Sequence, residues 1–438
     1  MADEAESTTS PAVERCGNPT LRSCMGTLTT APRTHHEPAD SAEWHIAQEV
    51  CASVLASLRR RDQRHKGRLY VHGLLTAQGR KTMRNLATST QEPAAAQSLH
   101  HFISVSTWDW SQVRTSLARQ MERVMTPHAW VVQPMVTPKT GVHSVGVQRR
   151  FIRHLGQAVT SQHSHGLWLA GQNAAAPVNW QLSVDEDRPS GMAPGGRGAV
   201  PEVSSGSRTY DDTAISVVLQ AATWGLAPRP VVIDARDLPP APLIEAFTAA
   251  DLPFLLRVGS HTPLLAPELS GGQRRVLSAS AEHLTMLARS QQRPVEWVDP
   301  AVPRVLRTGM VALLPVLWPG ISVPRRPRPD RVSPVESMRS GGADLLLMGE
   351  WQPNRRRVAE LWVTNMTRAS RGTLLRLSKL TRRADTDFAR ICLDVGAQDF
   401  EGRSYEGWQR HMTMVSLAHA VRVLRRESQE RGEAEQSG

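Results

Sequence analysis

Residues 228–237 read PRPVVIDARD, and this short stretch decides how the rest of the chain is interpreted. The apolar triplet VVI is bounded by proline, which is typical of a buried strand. Helices are predicted before it, over 212–224, and after it, near 243–249, and a second apolar run, PFLLRVGS, follows at 253–260. This order predicts an α/β sheet with Asp234 at the end of a strand, where such sheets place ligand-binding groups. The alternative role for Asp234 is to cap the next helix.

Upstream of this stretch, alternating apolar segments predict strands at 129–134, 143–151, 165–171 and 177–184, in the order of an antiparallel meander. Helical periodicity dominates residues 41–128. We therefore expect an α/β fold with a mixed-sheet core, a helical N-terminal region, an irregular β-rich insertion and C-terminal helices. The expected organisation is a disordered tail (1–40), a helical region (41–128) whose runs of arginine make it a candidate for binding DNA, the first part of the core (129–259), an insertion with a basic loop (260–340), the remaining core with C-terminal helices (341–427), and a polar tail (428–438).

Charge gives the first indication of a partner. The chain has 52 Lys and Arg against 41 Asp and Glu, a net charge of +11. Nucleic acid is the first partner to consider for this balance, an anionic membrane surface is the second, and solubility alone is the alternative. No apolar stretch is long enough to cross a membrane, and the four cysteines form no CxxC pair. We expect a cytoplasmic protein without a zinc site or disulfide framework.

Arginine-rich segments are the expected phosphate contacts, because guanidinium groups bind phosphate oxygens in pairs. The same charges could instead form a solvated helix face. The candidates lie in the helical region and in the loop of the insertion: Arg59, Arg60, Arg61, Arg80, Lys81, Arg84, Arg325, Arg326 and Arg328. We predict that Arg80, Lys81 and Arg84 share one helical face.

Several short motifs follow one another in a fixed order along the chain. They are Tyr70, Gly73, Leu74, Leu75, Arg80 and Lys81; Trp130, Val131 and Val132; Pro138, Lys139 and Gly141; His143 to Val147 and Arg149; Gly156, Gln162 and the run PVNW at 177–180; PVVIDA at 230–235; and FEGRS, GW and RH within 400–411. Together they resemble the DDE superfamily of insertion-sequence transposases. The resemblance is spread over residues 65–425. It implies an RNase H-like core and a DDE endonuclease that cuts and joins DNA during transposition.

The resemblance also implies a reaction and partners. Three carboxylates of such an enzyme hold two Mg²⁺ ions, which stabilise the attacking and leaving oxygens of an in-line displacement. DNA is the expected partner, a homodimer on DNA is compatible with the family, and the protein would be associated with the nucleoid. No membrane partner is expected.

This sequence departs from the family at the expected metal site. Gln133 stands where the first carboxylate is expected, Asp234 keeps the second position, and Asp385 is the third acid, with Glu401 as the alternative. The resemblance therefore leaves Asp234 and Asp385 as the metal ligands. Thr381 and Cys392 replace an arginine and a lysine of the family's helix.

The expected function follows from these departures. We expect a DNA-binding protein of the transposase family with impaired or lost catalysis, which uses Mg²⁺ if it is active and no cofactor otherwise. A domesticated regulatory protein without chemistry is the alternative, and an unrelated basic structural protein is a third hypothesis.

Overall fold

The structure of the chain is a computed structural model. This structure describes residues 41–88, 95–141, 144–152, 156–184, 209–270, 273–302, 305–320, 344–353 and 355–436. The tail 1–40 and the predicted DNA contacts Arg325, Arg326 and Arg328 lie outside these residues.

The N-terminal part of the described chain is helical, as predicted. Its helices are α1 (Ser41–Val54), α2 (Arg61–Thr76), α3 (Met83–Thr88), α4 (Ala95–Ser104) and α5 (Trp110–Met125). Their apolar faces are buried against one another and against the last helix, α10 (Tyr405–Gln436). The side chain of Asp109 accepts a hydrogen bond from the backbone of Ser111 and so begins α5.

The core strands are β1 (Ala129–Pro138), β2 (Val147–Ile152), β3 (Gln157–Ala170), β4 (Ala175–Leu182), β5 (Val231–Asp234) and β6 (Phe254–Arg257), with α6 (Tyr210–Ala222) and α7 (Pro240–Ala249) between them. The sheet order is β4-β3-β1-β5-β6. β1, β3 and β4 are antiparallel neighbours, whereas β1, β5 and β6 run parallel. This confirms the predicted mixed sheet with an RNase H-like strand order. The side chains of Val231 and Val232 are fully buried, as expected for an inner parallel strand.

The second half of the chain extends the same sheet. Its strands are β7 (Pro263–Ser270), β8 (Gln273–Ser280), β9 (Arg293–Val298), β10 (Leu306–Leu317), β11 (Asp344–Trp351) and β12 (Glu360–Thr364), and α8 (Ala281–Leu287) follows β8. β12 pairs with β6 on one side and with β11 on the other. The predicted hairpin of β11 and β12 is present. The strands of the expected insertion therefore continue the core sheet.

Two helices complete the described fold. α9 (Arg371–Asp387) begins at the cap residue Ser370 and packs on β1 and β5. α10 is buried along its first half and packs against β4 and the N-terminal helices. The hydroxyl of Tyr70, on α2, bonds to Nδ1 of His411, on α10, over 2.9 Å, and Nε2 of His411 bonds to the carbonyl of Gly396. Within the described residues, no helix is both long enough and apolar enough for a bilayer.

The structure corrects some predicted bounds. β1 continues to Pro138 rather than stopping at 134, because its residues keep pairing with β3. β3 starts at Gln157, eight residues before the prediction, since its first half pairs with β2. The predicted common helical face of Arg80, Lys81 and Arg84 is wrong: α2 ends at Thr76, Gly79 has φ 64°, and only Arg84 lies on α3.

Candidate active site

Gln133 and Asp234 lie on neighbouring strands. β1 and β5 are parallel and pair Val132 with Ile233, so the next residue on each strand is Gln133 and Asp234 respectively. Asp234 is the last residue of β5 and is half-buried. This is the side-by-side placement that the sequence predicted, and it follows from the register of two parallel strands.

Asp385 completes the cluster from α9. Nε2 of Gln133 donates a hydrogen bond to Oδ1 of Asp385 over 2.6 Å. Solvent reaches Asp385, but neighbouring protein atoms remove much of the water around its carboxyl. This desolvation raises the pKa of Asp385, and the negative charge of Asp234 acts in the same direction, while the hydrogen bond from Gln133 opposes them. The three predicted positions therefore come together from three separate elements.

Glu401, the alternative third acid, lies elsewhere. Its carboxylate pairs with Arg80 at 3.2 Å, in the connection between α2 and α3. The same Arg80 approaches Asp399 at 3.9 Å. Of the two candidate acids, Asp385 is the one that contacts Gln133.

Two guanidinium groups hold the carboxylate of Asp234. Arg236 donates from Nε to Oδ1 at 2.8 Å and from Nη2 to Oδ2 at 2.6 Å, so the two side chains form a bidentate ion pair. Arg257 is the register partner of Asp234 on β6 and donates from Nη1 to Oδ2 at 3.3 Å. The hydrogen bonds to Asp234 raise the pKa of Arg236. Both oxygens of Asp234 are thus bound by side chains of the protein itself.

Arg257 also connects the site to a buried acid–base cluster. Its Nη2 lies 3.6 Å from Oε1 of Glu360 on β12. The ammonium of Lys379, on α9, donates to Glu360 at 2.9 Å and pairs with Glu350 on β11. Lys379 is only 2% exposed. Burial alone would raise the pKa of Glu360, but the charges of Lys379 and Arg257 outweigh it and lower the pKa to about 2.

The donor set does not fit the two Mg²⁺ ions that the family resemblance implies. Such a site needs carboxylates that bridge the ions, and Mg²⁺ prefers hard, negatively charged oxygens. Here Gln133 supplies a neutral amide whose NH₂ group points to Asp385, and Asp234 is already paired with two arginines. Across the described part of the chain, no three His, Cys, Asp or Glu side chains lie together as metal ligands would.

The predicted DNA contacts differ in accessibility. Arg59, Arg60 and Arg61 are exposed where α2 begins, and Arg84 is exposed on α3. Lys81 is 5% exposed, and its ammonium donates to the carbonyl of Ala77. Its backbone N–H donates to Asp399 at 2.9 Å. Lys81 therefore joins the N-terminal helices to the segment before α10.

Sequence patterns did not indicate every residue of the site. Arg236 follows Asp234 by two positions, so its contact with Asp234 could have been expected from the sequence. Arg257, Glu360 and Lys379 gave no local signal, because strand pairing and helix packing bring them together from distant parts of the chain.

Comparison with known proteins places the chain in a family. The family model of the DDE superfamily endonucleases matches residues 53–308. Among solved structures, the chain is similar to a piggyBac transposase in a synaptic complex with hairpin DNA, with 10% sequence identity, a TM-score of 0.31, and coverage of 88% of this chain and 72% of that one. No curated protein matches the chain. Since the family model spans more than half of the sequence, and the strands that carry Gln133 and Asp234 fall within it, the chain belongs to the DDE superfamily endonucleases.

Proposed function

We propose that this member of the family binds duplex DNA and has lost metal-dependent strand cleavage. The observation that carries the proposal is the amide of Gln133 on the strand beside Asp234, hydrogen-bonded to Asp385. An amide in place of a carboxylate removes one full negative charge from a site that would have to hold two divalent cations. Arg236 and Arg257 add two positive charges at the same place.

The loss of charge is not repaired by neighbouring residues. Pro134 and Met135 follow Gln133, and neither carries a carboxylate. The glutamates nearest to Arg257 in the acid–base cluster are engaged by Lys379, whose ammonium lies between them. Moving either acid to a metal would take away one of the two partners of this buried ammonium, which is unfavourable.

DNA binding is the function that remains. Arg59, Arg60 and Arg61 are exposed and adjacent, and Arg84 is exposed on a neighbouring helix. Arginines on phosphates release counterions, so the affinity should fall with salt at a slope of about −0.9 for each phosphate engaged. With about five phosphates engaged, a log–log slope of about −4 to −5 is expected. A regulatory protein that occupies DNA, alone or as a homodimer on the nucleoid, is the biological form that this proposal favours.

Two assays test the proposal. Purified wild-type protein should leave a supercoiled plasmid uncut in Mg²⁺ at the level of the Asp234→Ala variant, while it retards a mixed-sequence duplex in a salt-dependent way. The triple Arg59, Arg60, Arg61→Gln variant should bind the duplex more weakly and with a shallower salt slope. Mg²⁺-dependent nicking by the wild type that is lost in Asp234→Ala would overturn the loss of catalysis. Duplex binding that salt does not weaken would overturn DNA as the partner.

A further inference from the structure

We propose that Arg236 and Arg257 make the former catalytic centre a metal-free binding site for a phosphodiester group of the DNA backbone. This inference rests on the proposed DNA-binding function and assigns a ligand to the site that has lost its catalytic role. In the family's chemistry, cations held by carboxylates face the reacting phosphate. Here the cations held by Asp234 are guanidinium groups of the protein.

The orientation of Arg236 leaves it able to bind a second anion. Its Nε and Nη2 donate to Asp234, and within the described structure no acceptor is hydrogen-bonded to Nη1. The side chain as a whole is 52% exposed. A guanidinium that is fixed on one edge by a carboxylate presents its other N–H groups in a set direction, and this preorganisation reduces the entropy lost when a phosphate binds.

Arg257 and Arg382 extend the positive charge around this position. Arg257 is anchored between Asp234 and Glu360 and remains 23% exposed. Arg382, on α9, is 42% exposed, approaches Glu360 at 4.0 Å and lies 5.4 Å from the ring centre of Trp297. Each arginine is thus held by an acid or an aromatic ring while part of its guanidinium is open to solvent.

The position in the sheet supports a backbone phosphate as the ligand. Asp234 and Arg257 are the last residues of two parallel strands, and groups at this edge of an α/β sheet are presented to ligands. A planar guanidinium group can donate two parallel N–H hydrogen bonds to two oxygens of a phosphodiester. Binding of a divalent cation at this position is disfavoured, because the two guanidinium groups that are paired with the carboxylate of Asp234 repel it.

The test compares three variants in duplex binding, each in EDTA and in Mg²⁺. Arg236→Gln removes the exposed guanidinium, Arg257→Lys keeps the charge but not the planar fork, and Arg431→Gln is a control with the same charge change as Arg236→Gln. Arg431 is likewise exposed and paired with an acid, Glu427, but lies near the end of α10. Thermal unfolding of each variant verifies that it is folded.

The wild type should bind in EDTA at least as tightly as in Mg²⁺, because the site needs no metal and Mg²⁺ competes with the protein for the phosphates. Arg236→Gln should weaken binding about tenfold and reduce the salt slope by about 1, as the loss of one phosphate contact requires. Arg257→Lys should weaken binding less, and Arg431→Gln should match the wild type. Wild-type affinity for Arg236→Gln, or wild-type binding that disappears in EDTA, would overturn the inference. If only the triple variant of Arg59, Arg60 and Arg61 lost affinity, DNA binding would stand without this site, whereas a wild type that binds no DNA would remove the proposed function as well.

Discussion

Gln133→Glu is the most direct perturbation of the cluster, because it replaces an N–H donor by a negative oxygen while the side chain keeps its shape. In the wild type the amide donates to Asp385 over 2.6 Å. A hydrogen bond to a charged group stabilises by about 1.5–3 kcal/mol. Two like charges about 3 Å apart repel by about 5 kcal/mol at an effective dielectric constant of 20. Solvent around Asp385 and movement of the side chains reduce both contributions. We therefore expect a loss of about 2–4 kcal/mol in the free energy of unfolding.

The assay is urea unfolding at neutral pH in low salt and EDTA, followed by tryptophan fluorescence. Gln133→Met is the matched control, because it removes the donor without adding a charge. It should lose only about 1–2 kcal/mol. Mg²⁺ should restore little of the stability of the Glu variant, since Asp234 stays paired with Arg236 and Arg257. A Glu variant as stable as the wild type or the Met variant, or one that Mg²⁺ restores fully, would contradict the expected repulsion.

Three further changes probe the surroundings of the site. Lys379→Met should cost about 3–5 kcal/mol in urea unfolding, because it leaves the buried carboxylate of Glu350 without its cationic partner, and adding Glu350→Gln should recover part of the loss. Burial lowers the pKa of His411 from 6.5 to about 4. As the pH falls, the imidazole of His411 is therefore protonated in the unfolded chain before it is protonated in the folded protein. The contribution of His411 to stability should therefore be full above pH 6.5 and decline by about 3 kcal/mol towards pH 4; His411→Asn should flatten that part of the pH profile, and an unchanged profile would contradict the assignment. Gly402→Ala would drive a Cβ into the ring of Phe400, so we expect a lower melting temperature by calorimetry, and an unchanged one would show that the ring can move aside.

The sequence predicted the parts of the fold that depend on local patterns. The proline-bounded run at 231–234 is a buried strand, and the parallel register with β1 brings Gln133 beside Asp234. Asp385 could be placed only through the family resemblance, because its distance from Asp234 depends on how α9 packs. The common face of Arg80 and Lys81 was predicted wrongly, because α3 begins only at Met83 and both residues precede it.

The electrostatic surroundings of the site could not be read from local sequence. Glu360 and Arg257 meet because β12 pairs with β6, although about a hundred residues, which include the strands β7 to β11, separate them along the chain. Lys379 would have been assigned to a solvated helix face on composition alone. It is instead buried against Glu350 and Glu360, which stand on neighbouring strands.

Binding of Mn²⁺ to the wild-type protein, measured by electron paramagnetic resonance of the free ion, tests most directly whether guanidinium and amide groups have replaced the metals. Mn²⁺ suits the same carboxylate oxygens as Mg²⁺. We expect the free-ion signal to keep its full intensity on addition of wild-type protein, and the Asp234→Asn variant to behave identically. A stoichiometric loss of signal with the wild type that is absent in Asp234→Asn would contradict this and establish a working metal site at Asp234.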